Sequence, residues 1–224
     1  GEEYYFQLDS HHRFIKDWDL KLKETLNQLK KEGSKKPLLS SYLPSYDPDI
    51  KGEKRLDDVW RTYIDRFMPE GPIFIFPETI NNWEGSSPER ARFISGHFIF
   101  TLGLFCEEVP YDPKLYFHGE ESSLSTRAYT WGYDLFHLHR PWVWHHYTRE
   151  GRSRHWDDVD KWEKLNKDSF TRYRKLHGMD SLRRQHIPKY GLGKVRSLKD
   201  YEQYSGIRFK DRKIQQFTID RKPP

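Results

Sequence analysis

The chain has 224 residues and a formal net charge of +5, from 39 Lys and Arg against 34 Asp and Glu. Only 35% of residues are apolar and 33% are charged, yet 16% are aromatic, with 8 Trp and 14 Tyr; disordered chains are poor in aromatics, so wholesale disorder is excluded and rings supply core that aliphatics do not. No stretch reaches the roughly 18 consecutive apolar residues of a membrane span, and the single cysteine, Cys106, excludes an internal disulfide framework.

A lone cysteine fits a reducing compartment. The Gly-Glu-Glu start carries no basic and apolar leader pattern, so a cytoplasmic location is expected. The charge is uneven: residues 151–224 hold 20 Lys and Arg against 10 Asp and Glu, whereas residues 1–150 hold 19 against 24. A basic final third suits nucleic acid, an anionic membrane surface or a phosphorylated substrate, and equally a solvated helical face.

In chain order, Tyr4 to Leu8 reads as a short strand ending at Asp9-Ser10-His11-His12. Asp17 to Lys31 reads as a helix, with Trp18, Leu22, Leu26 and Leu29 at three-and-four spacing and Gly33 to close it. Leu38 to Leu43 is a second strand. Asp57 to Met68 has helical spacing through Val59, Trp60, Tyr63, Ile64 and Phe67, and Ile73 to Phe76 is a strand between prolines. Phe93 to Phe105 is the most apolar stretch, one buried strand or two. Glu120 to Trp131 reads as a helix ending at Gly132, followed by strands over Tyr133 to Leu138 and Trp142 to Tyr147. Asp157 to His177 is a long polar helix, and Leu182 to Pro224 is basic with little periodicity. Helices alternating with strands predict a mixed α/β fold with a central sheet. Ligands in such sheets sit at the carboxyl ends of strands, which is where Asp9 stands.

Three constellations carry chemistry. Asp9-x-His11 after a strand places a carboxylate and an imidazole where both can face one cation, with imidazole suiting Mn²⁺ better than Mg²⁺. The same Asp-Ser pair also serves as a turn or helix cap. Gly119-Glu120-Glu121 opens a helix, where acids suit the dipole; alternatively Glu120 stands at the mouth of a pocket facing an acceptor hydroxyl. In Trp142 to Arg149, His145 and His146 point to opposite faces of a strand, so at most one joins a given site.

Together these stretches resemble the polypeptide α-N-acetylglucosaminyltransferase family, GT-A-type retaining glycosyltransferases. Its eukaryotic members modify a hydroxyproline on a cytoplasmic ubiquitin-ligase subunit, and it has bacterial relatives. The resemblance is carried by Phe6 to Phe14 with Trp18-Asp19, by Glu108 to Pro113, and by His118-Gly119-Glu120-Glu121. It continues through Arg127, Thr130 to Asp134, His145 to Arg149, Tyr190 to Gly193, Arg196, Asp200-Tyr201 and Tyr204 to Gly206. The chain is also similar to the mucin-type GalNAc-transferases, which share an Asp-x-His motif, a Gly-Glu stretch before a helix, and a later metal-binding histidine two positions before an aromatic residue.

The resemblance implies a GT-A-like mixed central sheet flanked by helices. It implies a Mn²⁺ ion (Mg²⁺ as the alternative) held by Asp9, His11 and His145, with His146 as rival to His145. It implies Glu120 as the catalytic carboxylate, and Asp9, Gly119, Glu121, Tyr147 and Arg149 around a UDP-sugar donor. Phe117 and Trp131 are candidates for stacking on sugar or for core. The donor sugar is GlcNAc or a related hexose, and the acceptor is a protein or a glycan. Residues 1–150 would form the metal and acceptor side, and residues 151–224 a basic extension of the same domain. The uridine-binding unit that precedes the metal motif in a GT-A domain is expected to be missing, so that a second chain could supply it. The competing reading is a non-catalytic binding module, in which Tyr190, Tyr201, Tyr204, Phe209 and Phe217 interleave with the basic tail to hold RNA.

Overall fold

The structure, a computed structural model, describes residues 1–49, 52–148, 151, 157 and 159–224. The first half contains β1 (Tyr4–Leu8), β2 (His12–Phe14), α1 (Trp18–Lys31), β3 (Pro37–Ser40), β4 (Tyr46–Asp47), β5 (Lys54–Arg55), β6 (Trp60–Phe67) and β7 (Ile73–Thr79). It continues with β8 (Phe98–Leu102), α2 (Phe105–Glu108), α3 (Glu120–Thr130), β9 (Asp134–Phe136) and β10 (Val143–His145). The basic third contains α4 (Trp162–His177), α5 (Leu198–Ser205), β11 (Ile207–Arg208), β12 (Lys213–Ile214) and α6 (Gln216–Ile219).

Four strands form the central sheet in the order β1-β8-β3-β9. The β1–β8 and β8–β3 pairs are antiparallel and the β3–β9 pair is parallel, so the sheet is mixed. Side chains alternate across it, as the pleat requires. Leu39, Phe98, Phe100 and Phe136 meet Leu22, Leu26 and Leu29 of α1 on one face. Leu38, Ile99 and Leu135 meet Leu124 and Ala128 of α3 on the other. The result is the expected α/β architecture, a sheet between two helical layers.

A third core joins Ile64, Ile73, Phe93 and Leu115 to Tyr173, Met179, Tyr201, Ile207 and Phe209. The basic third is therefore packed into the same body as the residues before it.

Two expectations fail in this region. The stretch 57–68 is a strand rather than a helix, paired antiparallel with β7 from Trp60↔Thr79 to Phe67↔Ile73. A register shift between Ile64 and Arg66 inserts one residue. Thr62 and Ile64 keep the period of two, and the extra residue moves the next apolar position to Phe67, which imitates helical spacing. The tail after Leu182 is also more ordered than its lack of period implied. Ser197 and Asp200 form a reciprocal capping box that starts α5, and Gly206, at φ 69°, ends it. Smaller differences are in length: Phe93 to Phe105 yields one strand and the start of α2, and the last long helix begins at Trp162.

Candidate active site

The site lies where β1 ends. Beyond Leu8 the chain turns through Asp9 to His11 and re-enters as β2, which pairs with β10 so that His12 stands opposite His145. The His145 backbone donates to the Pro44 carbonyl at 3.0 Å, which fixes the strand end. The buried His145 ring thereby stands with Nε2 3.5 Å from Asp9 Oδ2. His146 turns the other way and packs on Tyr46, ring centroids 5.5 Å apart. The two rings thus face opposite ways, as expected along a strand, and the one beside Asp9 is His145.

Other imidazoles crowd the same corner. The His12 and His97 rings lie 4.9 and 5.1 Å from that of His145. His97 Nδ1 is 2.9 Å from Ser95 Oγ, and its Nε2 accepts from the Leu43 amide. Tyr147 donates to the Leu43 carbonyl at 2.7 Å and packs beside both His97 and His145. Neither nitrogen of His145, nor Nε2 of His12, has a hydrogen-bond partner although all three are buried. The His145 side chain, with further help from His97 and His12, holds the Asp9 carboxyl below its ordinary range. Burial pushes His97 down to about 3, and the neighbouring His145 adds to the effect. Burial lowers His12 as well, and a neutral imidazole is the state that binds a metal.

Among the described residues no group of three or more His, Cys, Asp or Glu side chains is closed into a cation geometry. The donor set nevertheless fits a divalent ion: an ionised carboxylate beside buried imidazole nitrogens that nothing else satisfies. Of the three expected ligands, Asp9 and His145 are brought together. The His11 Nε2 lies 3.0 Å from Ser10 Oγ.

Opposite this corner, Gly119 opens α3 at φ 94°, a left-handed conformation in which a Cβ would stand 2.9 Å from the Tyr173 ring. Glu120 and Glu121 then turn toward the Ser95–Gly96 loop. The Gly96 amide donates to Glu121 Oε1 at 2.7 Å. A Cβ on Gly96 would stand 3.3 Å from Glu120 Oε2, so the absent side chain leaves the room this carboxyl occupies. Both acids keep some solvent contact on the open side, but protein surrounds them otherwise. Burial, then the neighbouring Glu121 charge, pushes Glu120 up to about 7. Burial also raises Glu121, against which the Gly96 amide works.

Asp9, Glu120, Glu121, Gly119, Gln7 and His97 line one cleft of about 560 Å³. Its other wall is apolar, from Ile73 to Ile75 with Phe117 and His118. Phe117 is 43% exposed there. Trp131 instead packs against the core beneath the far end of α3. Arg149 lies outside the described residues. Sequence reasoning missed His12, His97 and Gln7; the available signals were the imidazole next to Asp-x-His and an amide, Gln7, in the middle of an otherwise apolar strand.

A family model described as glycosyltransferase (GlcNAc) matches residues 1–211. No curated protein matches the chain. Among solved structures, a crystal structure of GalNAc-T7 with UDP, GalNAc and Mn²⁺ is similar at a TM-score of 0.50 and 16% identity. That match covers 90% of this chain and 37% of the solved one, so the chain spans little more than a third of the length of its structural neighbour. At that identity the likeness speaks to the fold, and the family match, spanning most of the sequence, speaks to kinship: the chain belongs to the GlcNAc glycosyltransferase family and carries the GT-A-like fold its motifs implied.

Proposed function

We propose that the cleft is the reacting site of a metal-dependent retaining glycosyltransferase. It moves GlcNAc, or a related hexose, from a UDP-sugar to a hydroxyl on a peptide hydroxyproline or a glycan. The observation that carries this reading is that one cleft is lined both by Asp9, with His145 beside it, and by the buried Glu120–Glu121 pair. An ionised carboxylate beside buried imidazoles suits a cation and the diphosphate it binds, while a carboxyl with its pKa near neutrality suits a hydroxyl.

In this reading Asp9, His11 and His145 would hold Mn²⁺, which would supply Lewis-acid neutralisation of the diphosphate charge. Gly119, Glu121 and Tyr147 border the donor, and Arg149 meets the diphosphate by a charge-assisted contact. Glu120 orients the acceptor hydroxyl or the sugar rather than attacking. Residues 1–150 supply the metal and acceptor side, with residues 151–224 as their extension, and a nucleotide-binding half comes from elsewhere in the protein or from a second chain. A cytoplasmic location agrees with the lone Cys106. Among the described residues no helix is long and apolar enough to cross a membrane.

The RNA-binding alternative loses part of its stacking surface, while Tyr190 and Phe217 stay partly exposed. Tyr201 and Phe209 are wholly buried, and the Tyr204 hydroxyl is tied to the Ala91 carbonyl at 2.8 Å. Many of the basic side chains are also spent on carboxylates, including Arg172 on Asp112, Arg196 on Asp134 and Arg212 on Asp180.

The test is UDP release from UDP-GlcNAc by the protein at its full natural length. Release that stops in chelator and returns better with Mn²⁺ than with Mg²⁺ is the expected result. Full release in excess chelator overturns the metal assignment.

A further inference from the structure

The basic third carries a second concave surface, away from the cleft. Two adjoining pockets of about 510 and 550 Å³ share Arg184 and Leu198 and form one groove. Lys194 lines the first pocket, and Arg183 and Lys210 line the second. The wall of the first is fixed to the end of α3. The Gly193 amide donates to Thr130 Oγ1 at 2.9 Å, and the Val195 and Arg196 amides donate to the Thr130 carbonyl at 3.0 and 3.1 Å. Gln185, in the same wall, donates its amide to the Lys175 carbonyl at 2.9 Å.

The groove's own acids do not balance its cations. Asp180 is taken by Arg212 at 3.0 Å, with Arg174 behind it at 3.8 Å. Glu202, the other acid in the lining, accepts from the Phe209 amide at 2.9 Å. Arg196 also lines the groove, and it is spent on Asp134 at 2.7 Å. Among the described residues Arg183, Arg184, Lys194 and Lys210 form no ion pair, and all four are exposed. Like charges gathered in a concavity repel one another and focus their field there, so fold stability gives no reason to group them. Apolar side chains stand between the cations: Leu182, Leu192, Leu198 and Val195, the last 65% exposed. Among the described residues no Phe, Tyr or Trp lines either pocket, so nucleic-acid bases find no ring to stack on. A flat bilayer surface does not follow a concave groove. A run of carboxylates interspersed with apolar side chains matches both the charge and the apolar positions.

From this we infer that the groove is a docking site for an acidic polypeptide segment. Arg183, Arg184, Lys194 and Lys210 hold its carboxylates by charge-assisted contacts, and Val195 with its apolar neighbours packs against the side chains between them. Glu120 begins α3 and Thr130 ends it, so the groove stands at the other end of that helix from the cleft, roughly 15 Å along its axis. Groove and cleft share no lining residue, so a partner docked in the groove leaves the cleft open. The site stands independently of the transferase reading.

The test is fluorescence anisotropy on the full-length protein with a labelled short peptide of glutamates interspersed with leucines. Its lysine counterpart is the control, and unlabelled oligouridylate and phosphatidylserine vesicles are competitors at equal anionic charge. The acidic peptide should bind and its lysine counterpart should not. Binding should weaken as salt rises from about 50 to 300 mM, because exposed charges are screened over a Debye length. Arg184→Glu and Lys194→Glu should each lower affinity by about tenfold or more, the size of a contact to a charged group. Lys30→Glu makes the same change in net charge on α1, in the opposite helical layer, and should alter affinity by less than about twofold. Melting temperatures confirm that each variant folds, and two separate groove variants keep the test open if one does not. No binding of the acidic peptide at low salt would overturn the proposal. So would equal losses from Lys30→Glu and the groove variants, which would reduce the effect to net charge. Displacement by oligouridylate or vesicles at lower concentration than by unlabelled peptide would overturn it as well, in favour of a nucleic acid or a lipid surface.

Discussion

The imidazole of His145 stands 3.5 Å from the carboxylate of Asp9, across the β2–β10 pair that joins the two ends of the site. His146, its neighbour, lies against Tyr46 on the other face. The two histidines should therefore separate cleanly. His145→Ala should weaken Mn²⁺-dependent UDP binding, measured by titration calorimetry, by at least the roughly 10–100-fold typical of disturbing a metal's surroundings. His146→Ala should change it by less than about threefold. The reverse ranking would move the ligand to His146.

The carboxyl of Glu120 gives a stability signature as well. Its pKa is about 7 in the folded protein against 4.5 for a free glutamate. Between those values the folded state holds a proton that the unfolded chain has lost. The stabilisation is complete below about pH 4.5 and disappears as pH rises through 7. Glu121 acts with the same sign. Without metal or donor, Glu120→Gln should raise the unfolding free energy at pH 8 by about 1–3 kcal/mol. At pH 4.5 it should change little. Denaturant unfolding at the two pH values checks this; equal effects at both would contradict the burial described for Glu120.

In the basic third, Ser197 accepts from the Asp200 amide at 3.1 Å, and Asp200 returns the contact to the Ser197 amide at 2.7 Å. Removing this cap by Ser197→Ala should cost about 1 kcal/mol in chemical denaturation. Turnover should not change, since Ser197 is not among the residues that line the cleft.

The parts of the fold legible in the sequence are those whose period is undisturbed. Leu22, Leu26 and Leu29 announce α1 because nothing interrupts their spacing, and Gly119 and Gly132 bracket α3 because both take left-handed conformations. The segment through Trp60 and Phe67 misleads because a bulge adds a residue to a strand. The capping box of α5 is present as Ser197-x-x-Asp200, but eight residues are too few to show a helical period. The site shows the same division. Asp9, Glu120 and His145, which the structure brings to one corner and its cleft, could be named from the sequence because each belongs to a local pattern with its own chemistry. Gln7 and His97 could not, because their places in the cleft are set by tertiary hydrogen bonds between distant segments, such as Gln7 to Gly96 and Leu43 to His97.

The most direct test of the central claim is turnover of UDP-GlcNAc with Mn²⁺ by Glu120→Gln, with Glu121→Gln as its neighbour control, each set beside its melting temperature. A preorganised charge at the reacting centre is worth roughly 10²–10³ in rate, whereas an acid at a helix start is worth only about 0.3–1 kcal/mol of stability. The expected result is a loss of that size in Glu120→Gln at unchanged or higher melting temperature, and a smaller loss in Glu121→Gln. Near-wild-type turnover in Glu120→Gln would contradict the account.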